Sequence, residues 1–191
     1  MMSHLAPADF CSLYFRYQDL LHCGESWQLH RPDNIPLQPQ SWLDLAAVAN
    51  SLLDPITEHF GRPVLTYGFA GAELQKLIKQ KSRPQIAPKL DQHAASELNR
   101  NGKPICPRGG AAVDFYVTDL NSWQLALWVA QRLPFDRMYL YGAKRPIHLS
   151  FHQEPKRQIT LLRELESGQL IPQQISLARL EQMNLEVTNR C

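Results

Sequence analysis

An acidic residue in the middle of an apolar segment is the feature that most constrains how this chain can fold. Residues 111–117 have the sequence Ala-Ala-Val-Asp-Phe-Tyr-Val, which is typical of a β-strand, and Asp114 lies at its centre. A carboxylate buried in a strand costs several kcal/mol unless a cation or hydrogen bonds compensate for it. We therefore expect the fold to bring such a partner to Asp114.

Two histidines are placed where they could be that partner. The chain has seven histidines, and a single histidine beside an apolar strand is more often a core residue than a metal ligand. However, His93 lies in a predicted loop and His148 lies in the apolar segment 147–151. Two imidazoles and one carboxylate with an open fourth position form the ligand set of a catalytic zinc site. We therefore predict that His93, Asp114 and His148 bind zinc, which polarises carbonyl groups and lowers the pKa of bound water.

The pattern of apolar residues predicts a mixture of helices and strands in one domain. A length of 191 residues suits a single hydrophobic core, and 44% hydrophobic with 20% charged residues is typical of a globular protein. Helices are predicted over 9–21, 41–60, 73–81 and 122–132, and strands over 63–67, 111–117, 138–141 and 147–151. The segments 24–40 and 82–110 are predicted as loops, because proline, asparagine and glycine are frequent there.

The single domain, 1–191, divides into three parts by these patterns. Residues 1–62 form an N-terminal helical part, and residues 63–155 form the core that carries the metal site. Residues 156–191 are predicted as a C-terminal tail of one or two peripheral helices. All three predicted metal ligands therefore fall in the middle part.

The N-terminus and the cysteines bear on the cellular compartment. The first ten residues lack the basic start and the continuous apolar run of a secretory signal, and no window approaches the length of a membrane span. The four cysteines, at positions 11, 23, 106 and 191, include no CxxC pair, so a disulfide framework is not indicated. We expect a cytoplasmic protein with reduced thiols and no membrane partner.

Basic residues form small clusters rather than one dense stripe. The formal net charge is +2, and the clusters lie at 79–83, 144–145 and 156–157. Such a distribution is typical of a solvated basic face. It also allows mild steering of an anionic partner such as a nucleic acid.

Several segments, taken in order, resemble a known family. They are Asn-Ile-Pro at 34–36, Phe-Gly-Arg-Pro at 60–63, and Pro-Ile-His at 146–148, together with His93 ahead of the Gly-x-Ala-x-Asp strand at 110–114. Their order and local structure are similar to the zinc D-Ala-D-Ala carboxypeptidases, which include D-Ala-D-Ala dipeptidases and the hedgehog signalling domain. The resemblance implies an α+β fold with a small central antiparallel sheet and flanking helices, a zinc cofactor and a peptide substrate.

The chain departs from this family at three places. Residues 94–109 form an insertion between the first two ligands, and Lys103, Cys106 and Arg108 within it would lie beside the metal. Tyr141 stands where the family has a glutamate that acts as general base. In the segment 67–74, which resembles Gly-Tyr-Arg-Ser-Pro-Glu-Leu, Ala70 replaces the arginine that binds the substrate. Losing both groups would remove orders of magnitude in rate.

Four other residues are candidates to supply the missing chemistry. His152 shares a strand face with His148 and is either a fourth ligand, an imidazole base or an exposed residue at the strand end. Tyr141 could donate a hydrogen bond to a developing oxyanion. Asp136 is either a catalytic acid or a partner of a neighbouring arginine. Asp91 is either a carboxylate that orients His93 or the cap of a turn.

These observations leave two main hypotheses of different classes. The first is a metal-dependent peptidase or amidase with a rearranged base, which acts on a peptide or peptide-like substrate. The second is a catalytically silent, metal-binding or interaction module of the same fold with a protein partner, and it follows from the two missing groups. A nucleic-acid-associated function, based on the basic clusters, is a weaker third hypothesis.

Overall fold

The computed structural model describes residues 5–80, 92–164 and 170–188. Its helices are α1 (Tyr17–Leu21), α2 (Glu25–His30), α3 (Pro39–Val48), α4 (Asp54–Phe60), α5 (Ala72–Lys79), α6 (Ser122–Arg132) and α7 (Leu177–Thr188). Its strands are β1 (Val64–Tyr67), β2 (Ala111–Tyr116), β3 (Arg137–Leu140), β4 (Ile147–Phe151), β5 (Gln158–Glu164) and β6 (Leu170–Ile175). The predictions for β1, α5, β2, α6, β3 and β4 are confirmed, with small differences at their ends.

The strands form one mixed six-stranded sheet in the order β1-β2-β4-β3-β5-β6. Neighbouring strands are antiparallel except for β3 and β5, which are parallel. The general α+β class is therefore confirmed, whereas the expected small antiparallel sheet is wrong. The added strands β5 and β6 are the cause of this difference.

The predicted helical tail is wrong for β5 and β6, and within the described residues of the tail only α7 is helical. In β5, Ile159 and Thr160 are both buried, so both faces of the strand are covered at this point. The run of β-branched and apolar residues at 159–162 was the available signal for a strand, and the structure pairs this strand with β3.

The N-terminal part is helical, as predicted, but its boundaries differ. The helix expected over 9–21 is reduced to α1, and a loop that precedes it is closed by a bridge between Phe10 and Arg16. The segment 24–40 contains the short helix α2. Helices α3 and α4 are joined without a break by a π-helical turn at Ala49–Leu53, just before Pro55, whose missing N–H cannot join the regular hydrogen-bond ladder.

The two faces of the sheet have different characters. Helices α3 and α6 pack on one face, where the inward residues of three central strands are fully buried: Val113, Phe115, Met138, Leu140, Ile147 and Leu149. The intervening residues point to the opposite face because side chains alternate along a strand. Asp114 and His148 lie on that second face. Among the described residues, no helix is both long and apolar enough to cross a membrane.

Candidate metal centre

The strand register places Asp114 and His148 directly opposite each other. Asp114 on β2 pairs with His148 on β4, and His148 pairs in turn with Tyr139 on β3. Tyr67 on β1 pairs with Asp114 from the other side. A row of polar and aromatic side chains therefore crosses four neighbouring strands on the face away from α3 and α6.

His93 reaches this row from the loop before β2. Its carbonyl oxygen accepts a hydrogen bond from the N–H of Ala70 at 2.9 Å, and its Nδ1 lies 2.8 Å from the carbonyl oxygen of Gly68. These two contacts hold the backbone and the ring against the segment after β1. Gly68 itself allows no side chain, since a Cβ there would lie 2.1 Å from the carbonyl oxygen of Leu20.

Three potential ligand atoms converge at one point. His148 Nδ1 lies 2.8 Å from Asp114 Oδ1, His93 Nε2 lies 3.1 Å from the same oxygen, and the two ring nitrogens are 3.2 Å apart. The group His93, Asp114 and His148 could therefore hold a metal ion. The sequence prediction that these residues come together is confirmed.

The contacts of His93 suit a cation at the centre of the cluster. The Gly68 carbonyl oxygen can only accept a hydrogen bond, so it places the proton of a neutral His93 on Nδ1. The other nitrogen, Nε2, then directs a lone pair at the carboxylate of Asp114. Two acceptors at this distance repel each other. A metal ion between them, a second proton on His93, or the N–H of His148 Nδ1, which lies within 3.2 Å of both acceptors, relieves the repulsion.

Burial and charge act in opposite directions on Asp114. Burial alone would raise the pKa of its carboxyl, but the charge and hydrogen bonds of His93 and His148 outweigh it and hold the pKa well below its ordinary value. The carboxylate is therefore the stable form of Asp114 within the cluster, as a metal ligand must be. His93 and His148 are almost fully buried, whereas the Asp114 side chain is 24% exposed, so the cluster is accessible from the Asp114 side.

Aromatic rings fix the two imidazoles. The ring of Tyr139 stacks on His148 with centroids 4.6 Å apart, and Tyr67 meets His93 edge-on at 4.9 Å. His148 Nε2 is buried and has no hydrogen-bond partner among the described residues, so Nδ1 and the stacking orient this ring. Neither tyrosine was predicted from the sequence as part of the site. The register of β3 against β4 places Tyr139 beside His148, and residue types alone do not specify that register.

Ala70 stands where the family resemblance predicts a substrate-binding arginine, and this position is buried. Ala70 is fully buried, and its N–H is used by the His93 carbonyl. Asn34 holds the residues on either side, because its amide donates to the Phe69 carbonyl at 2.9 Å and accepts from the Gly71 N–H at 2.7 Å. Tyr141, at the position of the expected glutamate, is half-buried just after β3.

Asp136 is held in an ion pair. Its carboxylate accepts hydrogen bonds from Arg108 Nε at 3.0 Å and Arg108 Nη2 at 2.7 Å, and from the Lys156 N–H at 2.8 Å. Burial would raise the pKa of Asp136, but Arg108 and Lys156 lower it below its ordinary value. These contacts favour the hypothesis that Asp136 is the partner of an arginine over the hypothesis that it is a catalytic acid. The partner is Arg108 of the insertion, with Arg137 more distant at 4.0 Å.

Two further candidate residues stay predictions. His152 lies just beyond β4, where its Nδ1 accepts a hydrogen bond from the Glu154 N–H at 3.0 Å, and it is not part of the three-residue cluster. Asp91 lies outside the described residues.

The insertion, residues 94–109, is joined to the rest of the fold by contacts near both of its ends. Glu97 is buried and accepts hydrogen bonds at the start of α3 from Leu37 N, Gln38 N and Ser41 Oγ, each within 3.0 Å. Toward its other end, Arg108 pairs with Asp136. The loop therefore supports the helix and the sheet as well as carrying His93.

Comparisons of the chain with protein-family models, with curated proteins and with solved structures found no match. The geometry of the cluster therefore carries the functional argument.

Proposed function

We propose that this protein binds zinc through His93, Asp114 and His148, as a divergent relative of the zinc D-Ala-D-Ala carboxypeptidases. The observation that carries the proposal is the convergence of one potential ligand atom from each of the three residues. The Gly68 carbonyl accepts a hydrogen bond from Nδ1 of a neutral His93, so that Nε2 faces Asp114 and His148. A backbone carbonyl that fixes the ring in this way is a common companion of metal-binding histidines.

The ligand types favour zinc over harder cations. Two imidazoles and one carboxylate are typical of zinc, whereas calcium and magnesium prefer oxygen ligands alone. When bound, zinc would supply Lewis-acid activation of a carbonyl group and of water. The residues of this chain would hold the ligand side chains in place: Gly68 and Tyr67 orient His93, and Tyr139 orients His148.

Hydrolysis of a peptide or amide bond is the first form of the proposed function. It is supported by the ligand set and by the exposed side of Asp114, which leaves an approach to the cluster. A second form, a metal-binding module without hydrolysis, is supported by the ion pair of Asp136 and by the buried Ala70 in place of a substrate-binding arginine.

Metal analysis of the purified protein tests the shared part of both forms. Wild type should contain about one zinc per chain, since the cluster provides a single set of three ligands. His93→Ala should lose most of this zinc, because it removes one ligand. His59→Ala is the matched control, as His59 is exposed and stacks on Trp128 away from the cluster. Zinc-free wild type that also fails to bind added zinc would refute the proposal.

Hydrolysis of peptides that end in D-Ala-D-Ala separates the two forms. Zinc-loaded wild type should release D-alanine, and His93→Ala should not, if the protein is a peptidase of this class. Zinc binding without release of D-alanine above the His93→Ala background would favour the module instead.

A further inference from the structure

The residue before His93 makes a bridge between the loop and β4. Gln92 is fully buried, and its amide oxygen accepts a hydrogen bond from Ser150 Oγ at 2.8 Å. Its amide nitrogen donates to the Gly109 carbonyl oxygen at 2.7 Å. Ser150 lies two residues after His148 on the same face of β4. The bridge therefore joins the neighbours of two metal-ligand candidates on separate elements.

The backbone of Gln92 shows that this bridge holds a strained conformation. Its φ is +61°, in the left-handed region that non-glycine residues seldom adopt. Such a conformation is unfavourable for a residue with a side chain and persists where surrounding contacts fix it. The two hydrogen bonds of the Gln92 amide are contacts of this kind, and they set the direction in which His93 leaves the loop.

The hydrogen bonds of the bridge use both polar atoms of the Gln92 amide and the Ser150 hydroxyl. The Gly109 carbonyl accepts from the amide nitrogen, and the Ser150 hydroxyl donates to the amide oxygen while it accepts from the backbone N–H of Arg137 at 3.1 Å. Gly110 allows this approach, because a Cβ there would lie 2.1 Å from the Phe151 carbonyl oxygen and 3.1 Å from Gln92 Nε2.

We propose that Gln92 and Ser150 are positioning residues that set the separation of His93 and His148 for metal binding. This inference rests on the proposed metal site. The direct contacts of His93 with Gly68 orient its ring, whereas the bridge fixes the distance of the loop from β4. Losing a partner that hydrogen-bonds a metal ligand directly commonly weakens metal binding by about 10- to 100-fold, and we expect the lower end of that range for a bridge that acts through the residues beside the ligands.

Ser150→Ala tests the bridge, and Ser41→Ala is its matched control. Both serines are fully buried, and each donates to a side-chain oxygen at 2.8 Å, Ser150 to Gln92 and Ser41 to Glu97. Zinc affinity is measured by competition with a chromophoric chelator, and the ligand geometry by the visible spectrum of the cobalt-substituted protein. Ser150→Ala should bind zinc at least tenfold more weakly and alter the cobalt spectrum. Ser41→Ala should change zinc affinity by less than about threefold, because Leu37 N and Gln38 N still hold the same Glu97 oxygen.

Two outcomes would overturn the inference while the metal site stands. One is a Ser150→Ala protein that binds zinc within threefold of wild type, and the other is an equal loss in Ser41→Ala. Gln92→Met, which keeps the length of the side chain but removes both hydrogen bonds, gives a second test if Ser150→Ala does not fold. It should show the same loss of affinity and the same spectral change. Failure of wild type to bind zinc would instead refute the proposed function, and the inference with it.

Discussion

Asp114 is a carboxylate in contact with two buried imidazoles, and the charge and hydrogen bonds of these imidazoles keep it ionised. The cost of burying Asp114 indicated that it needs a partner, and His93 and His148 are the partners found. The contacts of Gly68, Gln92 and Tyr139 could not be predicted in the same way. They depend on strand register, on a backbone carbonyl and on a left-handed φ, none of which leaves a pattern in residue types.

The ion pair of Asp136 and Arg108 leads to a prediction about stability and pH. The Asp136 side chain is fully buried, so Asp136→Asn leaves Arg108 without its charged partner and should lower the free energy of unfolding at pH 7 by about 3 kcal/mol. The folded-state pKa of Asp136 is depressed, so its contribution is fully present above the unfolded pKa of roughly 4 and is lost as pH falls through the lower folded value.

Urea unfolding of wild type and Asp136→Asn at several pH values between 7 and 3 checks this. The stability difference should be constant near neutrality and shrink below about pH 4. Glu186→Gln is the control, because its ion pair with Arg179 is half exposed and should contribute no more than about 1 kcal/mol. A difference that grows on acidification would contradict the assignment of the depressed pKa to this ion pair.

At the scale of elements, β6 is an edge strand that carries a proline. Pro172 pairs with Leu162 of β5 but has no N–H to donate, so it fits a position whose backbone groups point away from β5. The outer edge of β6 therefore lacks one of the donors that a further strand would need. A proline at such a position protects an edge from pairing with another chain. This protection matters because Leu170 and Ile171 on β6 are exposed.

Pro172→Ala should therefore increase self-association. The substitution restores an N–H at the outer edge and makes the strand available to a second copy of the chain. The fraction of dimer and larger species, measured by size exclusion with light scattering over a concentration series, should rise above that of wild type. Gln174→Ala is the matched control, since it is exposed on the same strand and its backbone already has an N–H. Equal association of both variants would contradict the role of the missing donor.

For the whole molecule, the patterns in the middle of the chain were sufficient to predict most elements there. Helix α6 matches its prediction at both ends, because Asn121 caps its start by accepting the Trp123 N–H and the apolar period is regular. The position of residues 156–191 within the fold could not be inferred in that way. Strand β5 lies beside β3, on the side away from β4, and such a parallel pairing of distant segments leaves no local signal.

The tail is consequently part of the main core rather than a peripheral addition. Leu180 of α7 is fully buried in the cluster that also contains Val129 of α6, and Ile159 of β5 belongs to the same cluster. Arg157 donates to the carbonyl oxygens of Ala130 and Leu133 at the end of α6. Residues 63–155 therefore depend on the tail for the packing of the sheet that holds Asp114 and His148.

Leu180→Ala tests this dependence. Removing a fully buried leucine should lower the free energy of unfolding by about 3 kcal/mol, in a single transition that includes the sheet, because the lost contacts are those of the shared core. Leu185→Ala on the same helix is the matched control, since Leu185 is 61% exposed. It should change stability by less than about 0.5 kcal/mol. Urea unfolding followed by tryptophan fluorescence reports on helices α2, α3 and α6, which carry the four tryptophans, and α3 and α6 pack on the sheet. If Leu180→Ala left that transition unchanged, the tail would be an independent unit and the sheet would be stable without it.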